Sequence, residues 1–285
     1  MINKRIKILI SLTLLILFAG LFKIAEGTNA FYSLNGDSFQ KISLQLNQLD
    51  TRAAAKGGKE DLSSLTKEKV LIIFNSGGWG NTPLEEAKDF APVIEGIQTA
   101  LREQGYYPVV FTYNRTKDNF LGKVEGAKEF LYSFKNQSED LANQIEHFLD
   151  NNPGTKVIVT GLSAGGGFVN ETMEKLSEKY CVFQHCDGNF KEKIYAIEAG
   201  IPFWVDQLNS ENILVLDNNR KDTLAVGRLR TLISALIEAP GKWFLAKIKG
   251  KNLAFSRAIQ APGHRYDWSS PEVGPEIVNF LKDKF

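Results

Sequence analysis

The sequence predicts an α/β protein in which helices cover both faces of a mostly parallel central sheet. Two observations lead to this prediction. Short runs of β-branched and other apolar residues alternate with longer stretches whose apolar residues recur at helical spacing. One of the predicted strands also ends in a serine between glycines, with a predicted helix directly after it. Such alternation is typical of parallel sheets that are buried on both faces.

The regular pattern begins at Val70, and residues 70–285 are predicted to form one domain. Apolar runs predict strands at 70–74, 107–113, 156–160, 194–198 and 213–216, and around 253–259. Amphipathic spacing predicts helices over most of 83–104 and at 127–151, 167–179, 226–238 and 275–284. Pro153-Gly154 lies just past the second of these helices and is a typical stop signal.

The serine lies in Gly161-Leu162-Ser163-Ala164-Gly165, a G-x-S-x-G element between a predicted strand and a predicted helix. A serine needed only for packing would not require glycine on both sides. A serine at a sharp, strained turn would, because flanking side chains would collide with the strand and the helix. In parallel sheets the chemistry takes place at the carboxyl ends of the strands, so Ser163 is the predicted nucleophile.

A serine hydroxyl is a weak nucleophile and needs a general base, usually histidine. The sequence contains three histidines. His147 lies within a helical pattern, and His185 lies in a turn between two cysteines. His264 lies between the last predicted strand and the last helix, at the same sheet edge as Ser163. Position and elimination therefore favour His264 as the base.

The base needs an acid that fixes its tautomer, and two aspartates are candidates. Asp217 directly follows the strand at 213–216, and Asp222 stands further along the loop that leads into the next helix. Each could equally be a turn residue or an N-cap. The residues alone leave both open.

At this point the chain resembles the α/β-hydrolase superfamily of serine esterases and lipases, over most of residues 70–285. The elbow GLSAGG, the order serine, aspartate, histidine, and the Gly263-His264 pair before the terminal helix carry the resemblance. It implies the α/β-hydrolase fold. The stretch NNRKDTLAV is similar to the acid turn of the family, which implies Asp222 as the acid. Asparagine stands where that turn usually has glycine, so Asp217 stays an alternative.

An oxyanion must also be stabilised, normally by backbone N–H groups. One candidate is that of Ala164, directly after the nucleophile. The stretch NSGGWG at 75–80 resembles the HGGG-type loop of the family, with Asn75 in place of histidine. The resemblance implies an oxyanion or substrate-binding role for Gly77, Gly78 and Trp79. A plain strand-to-helix turn would explain one glycine, but not three around a tryptophan.

The N-terminus has its own pattern, since basic residues within 1–7 precede the uncharged, mostly apolar stretch 8–22. This pattern is typical of a signal peptide and is short for a membrane span. Residues 1–30 are therefore predicted to be a cleaved signal peptide or a retained membrane anchor, and 31–69 a linker. In both cases the domain lies outside the cytoplasm, either secreted, periplasmic or anchored to the membrane.

The composition argues against two kinds of partner, nucleic acids and metal ions. The net charge is +1 and no basic block stands out, which argues against nucleic acid. In an exported protein the neighbouring Cys181 and Cys186 are predicted to form a disulfide. With His185 they offer too few ligands for a metal site, so no metal is expected.

The sequence therefore predicts an exported serine hydrolase that cleaves an ester or related acyl bond in a small-molecule or lipid substrate, without a cofactor. The main alternative is a catalytically silent domain of this fold that binds a lipid or a protein partner. A nucleotide-binding role for 165–167 is disfavoured, because neither phosphate-loop spacing is present there.

Overall fold

The computed structural model describes residues 38–46, 68–117, 134–182, 185–186, 192–228 and 261–285, with single positions at 122 and 126 and between 230 and 250. The N-terminal segment 1–30 and the strand predicted around 253–259 lie outside the described residues. Among the helices it describes, none has the length and hydropathy that crossing a membrane requires.

The centre of the fold is a five-stranded sheet in the order β2-β1-β3-β6-β7. All neighbouring strands in it are parallel. The strands are β1 (Lys69–Asn75), β2 (Tyr107–Tyr113), β3 (Thr155–Leu162), β4 (Cys181–Val182), β5 (His185–Cys186), β6 (Ile194–Ala199) and β7 (Ile213–Leu216). The strands predicted from the sequence within the described residues agree with these bounds to within two residues.

Strands β4 and β5 form a separate antiparallel pair in which Cys181 is the direct partner of Cys186. The register places the two cysteines opposite each other, and the disulfide between them stays a prediction.

Helices cover both faces of the sheet, as the sequence predicts. They are α1 (38–46), α2 (Ala91–Glu103), α3 (Lys135–Asn151), α4 (Ala164–Tyr180) and α5 (Gly274–Lys284). Helices α1, α3 and α4 pack on the face that carries Leu71, Val159 and Ala196. Helices α2 and α5 pack on the opposite face, against Ile72, Ile158 and Ile197. Both faces are buried, which is why the strands are almost continuously apolar.

Helix α1 differs from the prediction of a linker over 31–69. Its apolar residues Phe39, Ile42 and Leu46 are buried in the core with α3 and α4. The ring of Phe39 also packs edge-on against Phe111, 4.9 Å away. Residues 38–46 therefore belong to the domain, because their helical spacing places three apolar side chains on one face.

Several predicted helices also differ from the structure at their ends. Helix α2 begins at Ala91, after a single 3₁₀ turn at Leu84–Glu86, and α4 begins at Ala164, three residues before the predicted start. Phe134 has a left-handed backbone, with φ 59°, so α3 begins at Lys135. Of the helix predicted at 226–238, the described positions 230, 231, 234 and 238 are helical, whereas 226–228 are not.

One row across the sheet contains two buried polar side chains, Asn75 and Glu198. Asn75 on β1, Gly161 on β3 and Glu198 on β6 are register partners on the face below α4. Glu198 is completely buried, and neither of its carboxyl oxygens has a hydrogen-bond partner among the described residues. Burial raises the pKa of Glu198 well above its ordinary value, so the carboxyl group is held in its neutral form.

The burial of Glu198 predicts that the free energy of unfolding decreases as pH rises. The folded protein retains a proton on Glu198 that the unfolded chain releases above a pH of about 4.3, so stability falls as pH rises towards the folded-state pKa. Each pH unit in that range costs about 1.4 kcal/mol. Glu198→Gln removes the titration and keeps the shape, so it should raise the melting temperature more at pH 8 than at pH 4. The exposed Glu139→Gln is the control, and an equal shift for Glu198→Gln at both pH values would contradict the prediction.

Candidate active site

Ser163 occupies the turn between β3 and α4 with φ 58°, a left-handed conformation that costs a non-glycine residue about 1–2 kcal/mol. Its N–H donates to the Ala199 carbonyl at 2.8 Å, and its carbonyl accepts from Gly167 N–H at 3.0 Å. Between residues 157 and 173, Ser163 is the one residue that is not buried. The chain therefore holds this serine in a strained turn with its side chain accessible.

The glycines around the serine are required by close backbone packing, as the sequence predicts. A Cβ on Gly161 would collide with the Gly165 carbonyl at the start of α4. A Cβ on Gly165 would in turn collide with the Asn75 carbonyl at the end of β1. The first turn of α4 therefore rests directly on the ends of β3 and β1, which fixes the position of Ser163.

Asp222 and His264 form a buried pair at the same edge of the sheet. His264 Nδ1 lies 2.7 Å from Asp222 Oδ2, and the Asp222 side chain is completely buried. A carboxylate can only accept, so the ring proton is assigned to Nδ1, which leaves Nε2 as a proton acceptor. The other oxygen of Asp222 accepts the N–H groups of Leu224 (2.9 Å) and Ala225 (3.2 Å).

The loops that carry these two residues are tied together. Thr223 donates its backbone N–H (3.0 Å) and its hydroxyl (2.9 Å) to the Pro262 carbonyl. Asn218 donates its side-chain amide to the Gly263 carbonyl at 2.9 Å. The alternative acid, Asp217, instead accepts the N–H of Arg220 at 2.9 Å and so anchors the turn. Asp222 is therefore the aspartate that the fold places against His264.

The Asp222–His264 pair and Ser163 meet the same short segment of chain, Ala199-Gly200. The Ala199 carbonyl holds the N–H of Ser163. Gly200 has φ 62°, and a Cβ there would lie 2.8 Å from both His264 Nδ1 and Asp222 Oδ2. Glycine at position 200 is thus what allows the pair to approach the end of β6, next to the serine.

The loop after β1 passes beside the serine as well. A Cβ on Gly77 would lie 3.6 Å from the Cβ of Ser163. Gly78, with φ 58°, turns the chain, and Gly80 N–H donates to the Gly77 carbonyl at 3.2 Å. Within the described structure, the N–H groups of Gly77, Gly78, Trp79 and Ala164 donate to no protein acceptor. Unused N–H groups next to a serine can bind a developing negative charge.

Two residues of the site were missed by the sequence analysis. The Tyr266 hydroxyl donates to Asp222 Oδ2 at 2.6 Å. Arg115, directly beyond β2, donates to the Ser76 carbonyl at 2.7 Å. Tyr266 lies two residues after His264, and Arg115 follows a strand at the edge that carries Ser163. Those positions are the only signal that the sequence offers for either residue.

The charges of the pair are set by its surroundings. Burial opposes ionisation of Asp222, but the hydrogen bonds from His264 and Tyr266 outweigh it and hold the pKa of Asp222 below its ordinary value. Burial, and to a lesser extent the negative charge of Asp222, raises the pKa of Tyr266 far above its ordinary value. The aspartate is therefore ionised and the tyrosine is neutral, which makes Tyr266 a permanent donor to it.

Other features lie away from this edge. A cavity of about 460 Å³ opens at the opposite edge of the sheet, where Thr155, Lys156 and Tyr195 line it. Among the side chains that the structure describes, no cluster of three or more histidine, cysteine, aspartate or glutamate residues could hold a metal ion.

The parallel sheet with helices on both faces, the strained serine on its middle strand and the buried Asp–His pair on later loops agree with the α/β-hydrolase fold that the sequence predicts. No protein-family model and no curated protein matches the chain. Among solved structures, Trichoderma reesei cutinase in complex with a C11Y4 phosphonate inhibitor is similar at 18% identity and a TM-score of 0.36, over 70% of this chain and 82% of that chain. A TM-score this low supports no conclusion about the site, so the role of each site residue is argued from the geometry described above.

Proposed function

We propose that this protein is an exported serine hydrolase that cleaves an ester or related acyl bond through an acyl-enzyme. The observation that carries the proposal is the convergence on Ala199-Gly200, where Ser163 is held on one residue and the Asp222–His264 pair lies against the next. A nucleophile, a base and an acid at one sheet edge are the groups that acyl transfer needs.

In this mechanism the Ser163 hydroxyl attacks the substrate carbonyl while His264 Nε2 takes its proton. The resulting oxyanion is stabilised by N–H groups of Ala164 and of the loop 77–79. His264 then returns the proton to the leaving alcohol, and the acyl group stays on Ser163. Water, activated by His264, releases the acid in a second step. Asp222 holds the ring and stabilises the imidazolium throughout.

Exposed aromatic side chains support a substrate with an apolar part. Trp79, 46% exposed, lies on the loop beside Ser163. Phe203 and Trp204 follow Gly200 and form an edge-to-face pair with ring centroids 5.0 Å apart, and both are exposed. Aromatic surface on the loops after β1 and β6, the two strands next to the one that carries Ser163, suits apolar acyl or alcohol groups. Small-molecule and lipid esters both meet this description.

A screen of p-nitrophenyl esters of increasing chain length, with phospholipids in parallel, tests the proposal. An acyl-enzyme predicts a burst of p-nitrophenol equal to the enzyme concentration before steady turnover, provided that deacylation is the slower step. Folded protein that hydrolyses none of these substrates and reacts with no fluorophosphonate would instead fit the catalytically silent alternative.

The export part of the proposal rests on residues 1–30, with the charged and then apolar pattern of a signal peptide or anchor. A retained anchor would also give the protein a membrane contact. Fusion of residues 1–35 to a reporter that is active only outside the cytoplasm should produce activity. An inactive reporter, with the fusion shown to be expressed, would count against export.

A further inference from the structure

Arg115 packs against the loop 76–80 and is almost completely buried, with 5% of its surface exposed. Its guanidinium donates to the Ser76 carbonyl at 2.7 Å and to the Gly78 carbonyl at 3.3 Å. Its backbone N–H donates to the Gly80 carbonyl at 2.8 Å. One residue therefore holds three carbonyl groups of a loop of five.

The hydrogen bonds of this loop are distributed unevenly between carbonyl and N–H groups. All five carbonyls from Ser76 to Gly80 accept a bond, since Gly77 accepts from Gly80 and Trp79 from Thr116 (2.8 Å). In the same described segment, the N–H groups of Gly77, Gly78 and Trp79 have no acceptor. The loop is thus held through its carbonyl groups, and these three N–H groups are available to bind a ligand.

The geometry of the peptide group determines where the N–H groups of this loop point. In a trans peptide the C=O and the following N–H point to opposite sides. Arg115 draws the Ser76 and Gly78 carbonyls toward itself, so the N–H groups of Gly77 and Trp79 point away from it. A cation at the carbonyl end also polarises the peptide and makes the N–H at the other end a stronger donor.

The site is shaped for a guanidinium. A Cβ on Gly80 would collide with the Arg115 side chain, so this glycine makes room for it. The charge lies 5.1 Å from the ring centre of Phe134 and 5.5 Å from that of Phe168 on α4. Planar Arg can bond two carbonyls and stack on rings at once, whereas Lys offers a point charge. Arg115 thereby connects the loop to the helix that begins with Ala164.

We propose that Arg115 is a positioning residue that holds the loop 76–80 with its N–H groups directed at the oxyanion formed on Ser163. The proposal rests on the proposed hydrolase function. It adds that the loop owes its donor geometry to a cation that never contacts the substrate. Its loss should therefore weaken transition-state stabilisation more than substrate binding.

The test compares Arg115→Met and Arg115→Lys in the full chain with the exposed Arg102→Met on α2 as the matched control. The first measurement is kcat and KM for a p-nitrophenyl ester, together with inhibition by phenylboronic acid, which forms a tetrahedral adduct with a catalytic serine. The second is hydrogen exchange of the segment 75–82, followed by mass spectrometry, which needs no activity. Melting temperatures show whether each variant is folded.

Arg115→Met should lower kcat by about 10²-fold, comparable to the loss of one oxyanion donor, with KM nearly unchanged. Boronic acid affinity should fall in parallel, and exchange in 75–82 should become faster. Arg115→Lys keeps a positive charge near the two rings, so it should fold and give kcat, boronic acid affinity and exchange rates between those of Arg115→Met and the wild type. Arg102→Met should match the wild type.

Two outcomes would overturn the proposal. One is a folded Arg115→Met or Arg115→Lys variant with unchanged exchange in 75–82. The other is a loss confined to KM. Failure of the proposed function is a different result, because a wild-type protein with no turnover and no boronic acid binding leaves the exchange experiment intact. Faster exchange in Arg115→Met would then still establish the anchoring of the loop, while unchanged exchange would refute it.

Discussion

Replacement of Ser163 by alanine should abolish turnover and leave the fold intact. The hydroxyl is the only group removed, and both backbone bonds of Ser163, to Ala199 and from Gly167, remain available to alanine. Loss of a nucleophilic serine from a triad lowers kcat by about 10⁶-fold, because the remaining groups act only together with it. Steady-state turnover and thermal unfolding of the same preparation measure both effects.

Ser163→Gly provides a matched control for the strained turn. Glycine adopts φ 58° without steric cost, so this variant should also be inactive but more stable than Ser163→Ala, by about 1 kcal/mol. Two inactive variants that differ in stability in this way would separate the chemical role of the hydroxyl from the conformational role of the turn. Turnover that survives in both variants would remove Ser163 from the mechanism.

Asp222→Asn should have the second largest effect on activity, a loss of about 10⁴-fold in kcat, as for the same change in a serine-protease triad. If the asparagine oxygen keeps the bonds from the Leu224 and Ala225 N–H groups, its NH₂ group faces the Nδ1–H of His264, which needs an acceptor. The four hydrogen bonds that Asp222 accepts also predict a stability loss, since Tyr266, Leu224 and Ala225 donate to the same buried carboxylate. Turnover and melting temperature should therefore fall together.

Asp217→Asn is the matched comparison five residues earlier. Its carboxylate accepts the Arg220 N–H at 2.9 Å, and an asparagine oxygen can still accept that bond. We expect activity close to wild type and a stability change below about 1 kcal/mol. If Asp217→Asn abolishes turnover while Asp222→Asn stays active, the roles of the two aspartates are reversed.

Local sequence signals were sufficient for the sheet and for the serine turn. The strands on either side of the serine are apolar because both faces of the sheet are buried, so their pattern is visible without any partner. Gly161 reports the close packing of β3 on the helix that follows it, whereas Gly165 packs against the end of β1. For the strands and for Gly161 the information therefore lies within a few residues.

The choice between Asp217 and Asp222 was not decided by local signals. Residues 218–220 are three successive left-handed residues, with φ between 53° and 60°. Such a run is unfavourable for L-residues and persists only because contacts such as that of Asn218 with Gly263 hold it. The turn that moves Asp222 toward His264 therefore depends on a loop about 40 residues away.

Distance along the chain also explains what was missed. Tyr266 and Asp222 are separated by 44 residues, and Arg115 and Ser76 by 39. A tyrosine and an arginine in loops are by default surface residues, and only the tertiary fold buries them. In the same way, α1 has a helical pattern of its own, but nothing near it in sequence indicates that it packs on α3 and α4.

If Ser163 is a nucleophile activated by its surroundings, a covalent serine probe should label it in the native protein and not in the unfolded chain. The full-length protein is treated with a fluorophosphonate probe, digested and analysed by mass spectrometry, with acid-unfolded protein as the control. We expect one adduct on the native protein, on the peptide that contains Ser163, and none on the unfolded chain. A native protein that stays unlabelled, or an adduct on another residue while Ser163 remains unmodified, would contradict it.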